Sequence, residues 1–181
     1  MHSNVSPGDL SQEGQKAYQN EDFETAARAF AAAVEGYRAQ GAGLDAAEQA
    51  NNLAVTYLQL GRAAEALEAV ESTPEIFAAA GDQRRLAFAY GNLGSALEAL
   101  GNNEESLAAY QESADLLKAL GEDKLRLEVM QSISGVQLKS GRQLEALATM
   151  KHGIEDVQQP SLQQKFLKRL LNVPFKYLGD K

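Results

Sequence analysis

The sequence predicts an all-α solenoid, an α-α superhelix of about four stacked helical hairpins with a C-terminal capping helix, and three observations predict it. Two glycine series, Gly41, Gly81, Gly121 and Gly61, Gly101, Gly141, each repeat every forty residues. Apolar columns share that period, as in Leu53, Leu93, Ile133 and in Phe30, Val70, Tyr110, Met150. Within a unit these positions fall three, four and seven apart, as in Leu107, Tyr110, Ala114 and Leu117, which places them on one face of a helix.

Two glycines per unit imply two turns and therefore two helices, because glycine ends a helix in the left-handed conformation without a Cβ penalty. A hairpin of this kind cannot bury its apolar stripe alone, so neighbours stack and a concave and a convex face result. The chain is divided accordingly into a flexible tail at 1–9, four units at about 10–40, 44–80, 83–120 and 124–158, and a capping helix with its tail at 161–181. No segment reads as a strand.

In the first unit, Gly14, Phe23, Ala26 and Phe30 carry the pattern, and in the second Leu53, Ala54, Tyr57, Ala66 and Leu67. Pro74 interrupts the second, because it lies mid-helix, where proline removes a hydrogen bond and clashes with the preceding turn. A restart near Ser72 and Thr73 is predicted, with Pro74 opening the new segment. Asp82 and Asp123 follow turn glycines and are expected to cap the third and fourth units. The fourth is the least regular, with Ser134 and Gln137 where apolar residues are expected. After Pro160, Ser161 is an N-cap candidate for a helix with Leu162, Phe166, Leu170 and Leu171 on one side. Val173, Pro174, Phe175 and Tyr177 are expected to fold back on that cap rather than form a docking strip.

Composition narrows the function. The chain has no cysteine, which excludes disulfides, thiolate nucleophiles and thiolate metal sites and fits a reducing compartment. Met1 to Leu10 lacks the basic start and apolar run of a secretory signal, and no stretch approaches the length of a membrane span. A cytoplasmic location and no membrane partner are expected. Net charge is −8, yet residues 161–181 hold five cations against Asp180 alone, +4, which leaves −12 on the remainder. An acidic body repels phosphate backbones, so no nucleic acid partner is expected.

Chemistry finds little support. His2 and His152 are far apart in sequence and neither has a second histidine at helical spacing, so no metal site is expected. Glu104 and Glu105 are neighbours that diverge around a helix and favour its N-terminal dipole end. No glycine cluster follows a strand, so no phosphate-binding loop or cofactor is expected. The expectation is a protein that is not an enzyme.

Asn92-Leu93-Gly94, followed by Leu97, Gly101, Glu105, Ser106, Leu107 and Tyr110, resembles the tetratricopeptide repeat (TPR) family. The resemblance spans about Leu10 to Val157 and is to the forty-residue variety found in kinesin light chains, in adaptors with a GNLG signature and in some bacterial regulators. It implies that the concave groove, lined by the first helix of each pair, binds another protein or a peptide segment. Carried over by position, the groove residues are Asn51, Asn52, Val55 and Gln59, then Phe88, Gly91, Asn92 and Ser95, then Glu128, Gln131, Ser132 and Lys139. Asn52 and Asn92 are the strongest pair, since an amide both donates and accepts and so can meet a ligand backbone of any sequence. The lysines with which chaperone-binding members hold a terminal carboxylate are absent, with Ser11, Asn51, Val55 and Ser95 at those positions. Arg84, Arg85, Lys124 and Arg126 are read as solvated charges near helix starts. The alternatives are a self-assembling structural element, hence a homo-oligomer, and a peptide-sensing regulatory module.

Overall fold

The computed structural model describes residues 5–155, 157 and 161–171, and the strip at 173–177 lies outside them. Ten helices follow one another among the described residues: α1 (Pro7–Gln19), α2 (Phe23–Ala39), α3 (Gly43–Gln59), α4 (Ala63–Val70), α5 (Thr73–Ala79), α6 (Gln83–Ala99), α7 (Asn103–Ala119), α8 (Asp123–Lys139), α9 (Gln143–Glu155) and α10 (Leu162–Leu171). No strand occurs among the described residues. The fold is an all-α solenoid of repeated helices.

The turns explain the period. Gly41, Gly61, Gly81, Gly101, Gly121 and Gly141 all have φ between 70° and 81°, the left-handed region. After each, the following N–H bonds back five residues, from Ala42 to the Tyr37 carbonyl, Arg62 to Tyr57, Asp82 to Phe77, Asn102 to Leu97, Glu122 to Leu117 and Arg142 to Gln137. This is the Schellman closure that satisfies the last carbonyls of a helix. Between α1 and α2 the same bond runs from Asp22 to Ala17, but the left-handed residue there is Glu21, at φ 60°.

The chain divides into two compact units, Met1–Ser113 and Ala114–Lys181. In the first, α1 packs on α2, α2 on α3, and α3 on α4, α5 and α6. Its core joins Ala17, Ala26, Ala27, Phe30 and Leu53, and continues through Ala54, Ala66, Val70 and Ala96. Small residues at the crossings let helices approach. A Cβ on Gly14 would lie 2.7 Å from the Phe30 ring, and one on Gly94 2.6 Å from Tyr110, so a side chain at either position forces the aromatic ring away. In the second unit α8 packs on α9 and α9 on α10, around Leu127, Ile154 and Val157.

Helix ends match their sequence signals unevenly. α1 begins at Pro7, inside the segment assigned to a tail, because Ser6 and Asp9 form a reciprocal capping box and Pro7 is preset for a first turn. Asp82 caps α6 by accepting from the Arg85 N–H at 2.9 Å. Asp123 does not cap α8; it lies inside the first turn, after Glu122, which makes no side-chain cap bond. Ser161 accepts from the Gln164 N–H, and the Gln164 side chain accepts from the Ser161 N–H in return. Proline acts as the sequence predicts: α4 ends at Val70 and α5 starts at Thr73, with Pro74 in its first turn. The fourth hairpin leaves Leu138, Leu144 and Leu147 exposed, although Leu147 stands forty residues after Leu107 and eighty after Leu67.

Candidate functional site

Of the first helices of the hairpins, α1, α3, α6 and α8, the last three carry the residues assigned to a groove, and these differ in burial and bonding. Asn51 is buried on α3, with its Oδ1 3.1 Å from the Thr73 hydroxyl, which also donates to the Val70 carbonyl at 2.9 Å. Its amide ties α3 to the break between α4 and α5. One residue later the helix turns Asn52 to a different face.

Asn52 is half-buried, donates from Nδ2 to Gln49 Oε1 at 3.3 Å, and lines a concavity of about 180 Å³ with Val55. Gln15, Tyr18 and Gln19 of α1 form the opposite wall, and the Phe30 ring is part of the lining. Amides thus sit beside aromatic and aliphatic surface, the mixture a ligand segment with one apolar side chain and a polar backbone requires. The α1 residues are additions to the sequence reading, and a signal for two of them was present. Gln15 stands forty before Val55, and Gln19 forty before Gln59.

The remaining assigned residues differ in availability. Gln59 is exposed at the end of α3. On α6 the half-buried Phe88 ring lies 5.0 Å below the Arg84 guanidinium, a cation–π contact that presents charge beside the ring. Asn92 is half-buried, forty residues after Asn52. Ser95 is engaged, donating to the Gly91 carbonyl at 3.0 Å and lying 3.0 Å from the Tyr110 hydroxyl, which donates to Glu98 at 2.9 Å. In the second unit, Glu128, Gln131 and Lys139 of α8 are exposed and Ser132 is half-buried.

Of the cations near helix starts, Lys124 is exposed, whereas Arg85 and Arg126 are not simply solvated. Arg85 reaches Asp82 at 2.6 Å and Glu48 at 3.1 Å and lies over Phe77, tying α6 to α3. Hydrogen bonds from the Arg85 backbone, then from its guanidinium, hold the Asp82 carboxyl below its ordinary pKa. Arg126 is buried on α8. Arg62 repeats the arrangement on α4, bonded to Glu65 and lying over Tyr57, and the bond to Arg62 lowers the Glu65 pKa. Among the described residues, no group of three or more His, Cys, Asp and Glu side chains is placed to hold a metal ion, and no helix is long and apolar enough to cross a membrane.

The tetratricopeptide repeat family matches residues 85–159, which run from α6 to beyond α9. The match to the tetratricopeptide repeat family belongs to that segment. Among solved structures, the TPR fold here is similar to MamA from Desulfovibrio magneticus RS-1, residues 41 to the end. That likeness has 19% identity and a TM-score of 0.67 and covers 85% of this chain and 77% of that one. It is similar also to the nearly identical, kinesin light chain-like TPR repeats from Podosopora anserina, at 14% identity and a TM-score of 0.54, covering 95% and 97%. At these identities the likeness is one of fold. No curated protein sequence matches the chain. The fold is consistent with a protein-interaction scaffold.

Proposed function

We propose that this TPR protein is a non-enzymatic scaffold whose first helices bind a peptide segment of another protein, with α1 and α3 at the centre of the contact. The concavity between Gln15, Tyr18 and Gln19 on one side and Asn52 and Val55 on the other carries the reading. It is large enough for one apolar side chain, and three amides at its edge suit the ligand's backbone. Phe88, Asn92 and the Arg84 guanidinium extend the polar and aromatic surface along α6. A cytoplasmic site of action, in keeping with the absence of cysteine, belongs to the same proposal.

Affinity capture with the wild-type chain and with an Asn52→Ala, Asn92→Ala double variant tests it, with folding checked by circular dichroism and melting. A captured protein whose recovery falls at least about tenfold with the folded variant supports the groove, since this is the cost of losing about 1.4 kcal/mol of binding. Equal recovery by wild type and variant overturns the assignment to this face.

A further inference from the structure

A second concavity, of about 370 Å³, opens between α2, α3 and α4. It is bounded by the second helices of the first two hairpins, whereas the proposed peptide site is walled by first helices. Its floor is apolar and includes Ala31, Ala50 and Tyr57, and its rim holds Glu35, Arg38, Glu65 and Glu68.

Two features distinguish this hollow. The first is small residues at positions that later repeats fill: the column of Ala50 continues as Tyr90 and Met130, and that of Ala31 as Glu71, Gln111 and Lys151. The second is charge. Three rim carboxylates face one guanidinium, and Arg38 is itself paired with Glu35 at 3.0 Å. Glu65 is neutralised from outside the rim by Arg62, and Glu68 is exposed. A ligand for this hollow carries positive charge together with an apolar side chain.

The chain supplies such a group. Helix α10 holds Lys165, Lys168 and Arg169 and no acidic residue, and residues 161–181 together carry +4 while the rest of the chain bears −12. Lys165 and Arg169 are exposed, and Leu162 at its start is 85% exposed, an apolar side chain beside the cations. We propose that the hollow between α2 and α4 receives α10 of a second copy, its cations Lys165, Lys168 and Arg169 lying along the acidic rim and meeting Glu68, the rim carboxylate that neither Arg38 nor Arg62 pairs, while Leu162 enters the apolar floor. The contact joins two different surfaces, so each copy offers one of each and assembly proceeds head to tail.

Sedimentation of the full chain at several concentrations, in low and in high salt, tests the proposal. The expected result is a mass that grows with concentration at low salt and returns to the monomer at high salt, since surface charge pairs are screened. Glu68→Lys reverses a rim charge on an exposed side chain, and Ala31→Leu fills the hollow with an apolar group. Each is expected to weaken association by about tenfold or more while melting stays unchanged. A Lys165→Glu, Lys168→Glu variant should be equally defective, yet mixed with the Glu68→Lys chain it should form a dimer, because one intact hollow then meets one intact α10.

A chain that is monomeric at every concentration overturns the proposal, as does association that survives both hollow variants or high salt. A mixture that stays monomeric also overturns it. A monomeric chain whose hollow instead takes a lysine-rich peptide of foreign sequence keeps the charge argument but removes the second copy as occupant. Asn52→Ala leaves self-association unchanged, so the outcome here is separate from that for the peptide groove.

Discussion

The first hairpin and the third are built on the same close contact and secure it differently. In the first, the Phe30 ring of α2 lies on Gly14 of α1, and its surroundings are apolar, with Tyr18 edge-on to Phe23 at 5.3 Å. In the third, the Tyr110 ring of α7 lies on Gly94 of α6 and its hydroxyl is fixed to Glu98 and Ser95, while the Ser106 hydroxyl donates to the Gly94 carbonyl at 2.9 Å. The period of forty therefore preserves a distance between helices, and each unit has its own means of holding it.

The largest predicted effect separates these two means. Gly94→Ala is expected to destabilise the protein by about 3 kcal/mol and Gly14→Ala by about 1–2 kcal/mol, the range for overpacking. The Phe30 ring can slide in an apolar environment, whereas moving Tyr110 also breaks its hydrogen bonds. Urea denaturation measures both; equal losses would show that the polar anchor of Tyr110 adds no rigidity.

A second comparison sets Asn51 against its neighbour. Asn51→Ala leaves the buried Thr73 hydroxyl without its amide partner and is expected to cost about 1–2 kcal/mol. Asn52→Ala removes a half-buried amide from a concavity and is expected to stay within about 0.5 kcal/mol of wild type while weakening peptide capture. Melting curves and capture assays on both variants expose the difference. A capture defect in a stable Asn51→Ala protein would place that residue in the groove.

That pair also shows how far sequence reaches. Helix number, the turns and the break at Pro74 were legible because glycine, proline and apolar spacing act within a few residues of themselves. Burial was not, because Asn51 and Asn52 are equally polar and only the position of Thr73, on another helix, decides which is buried. Gln15 and Gln19 were recoverable by extending the columns of Val55 and Gln59 back by forty. The hollow beside Ala31 and Ala50 depends on what three separate helices omit. The Asp123 position was missed since an aspartate one residue off the N-cap looks the same in sequence.

The junctions supply a third comparison. Six turns place glycine in the left-handed region and the first places Glu21 there, in the same hydrogen-bonded closure. For a residue with a Cβ that conformation costs about 1–2 kcal/mol, and the greater unfolded-state entropy of glycine offsets part of the gain from replacing it. Glu21→Gly is therefore expected to raise stability by about 0.5–1 kcal/mol. Unchanged or lowered stability would mean that the Glu21 side chain makes compensating interactions in this turn.

The smallest effect concerns the cap of α6 compared with that of α8, where no side chain closes the first turn. Asp82→Ala removes the bond from the Arg85 N–H and is expected to cost about 0.5 kcal/mol at neutral pH, the low end for an N-cap on a partly exposed site. Because the folded Asp82 pKa is depressed below its ordinary 3.8, the carboxylate stabilises the fold fully above that value and loses this contribution as pH falls through the folded pKa. The gap between wild type and variant should accordingly be constant through neutral pH and narrow in acid. A gap that stays the same in acid would assign the cap's contribution to hydrogen-bond geometry alone, with no part played by the ionised carboxylate and the Arg85 guanidinium beside it.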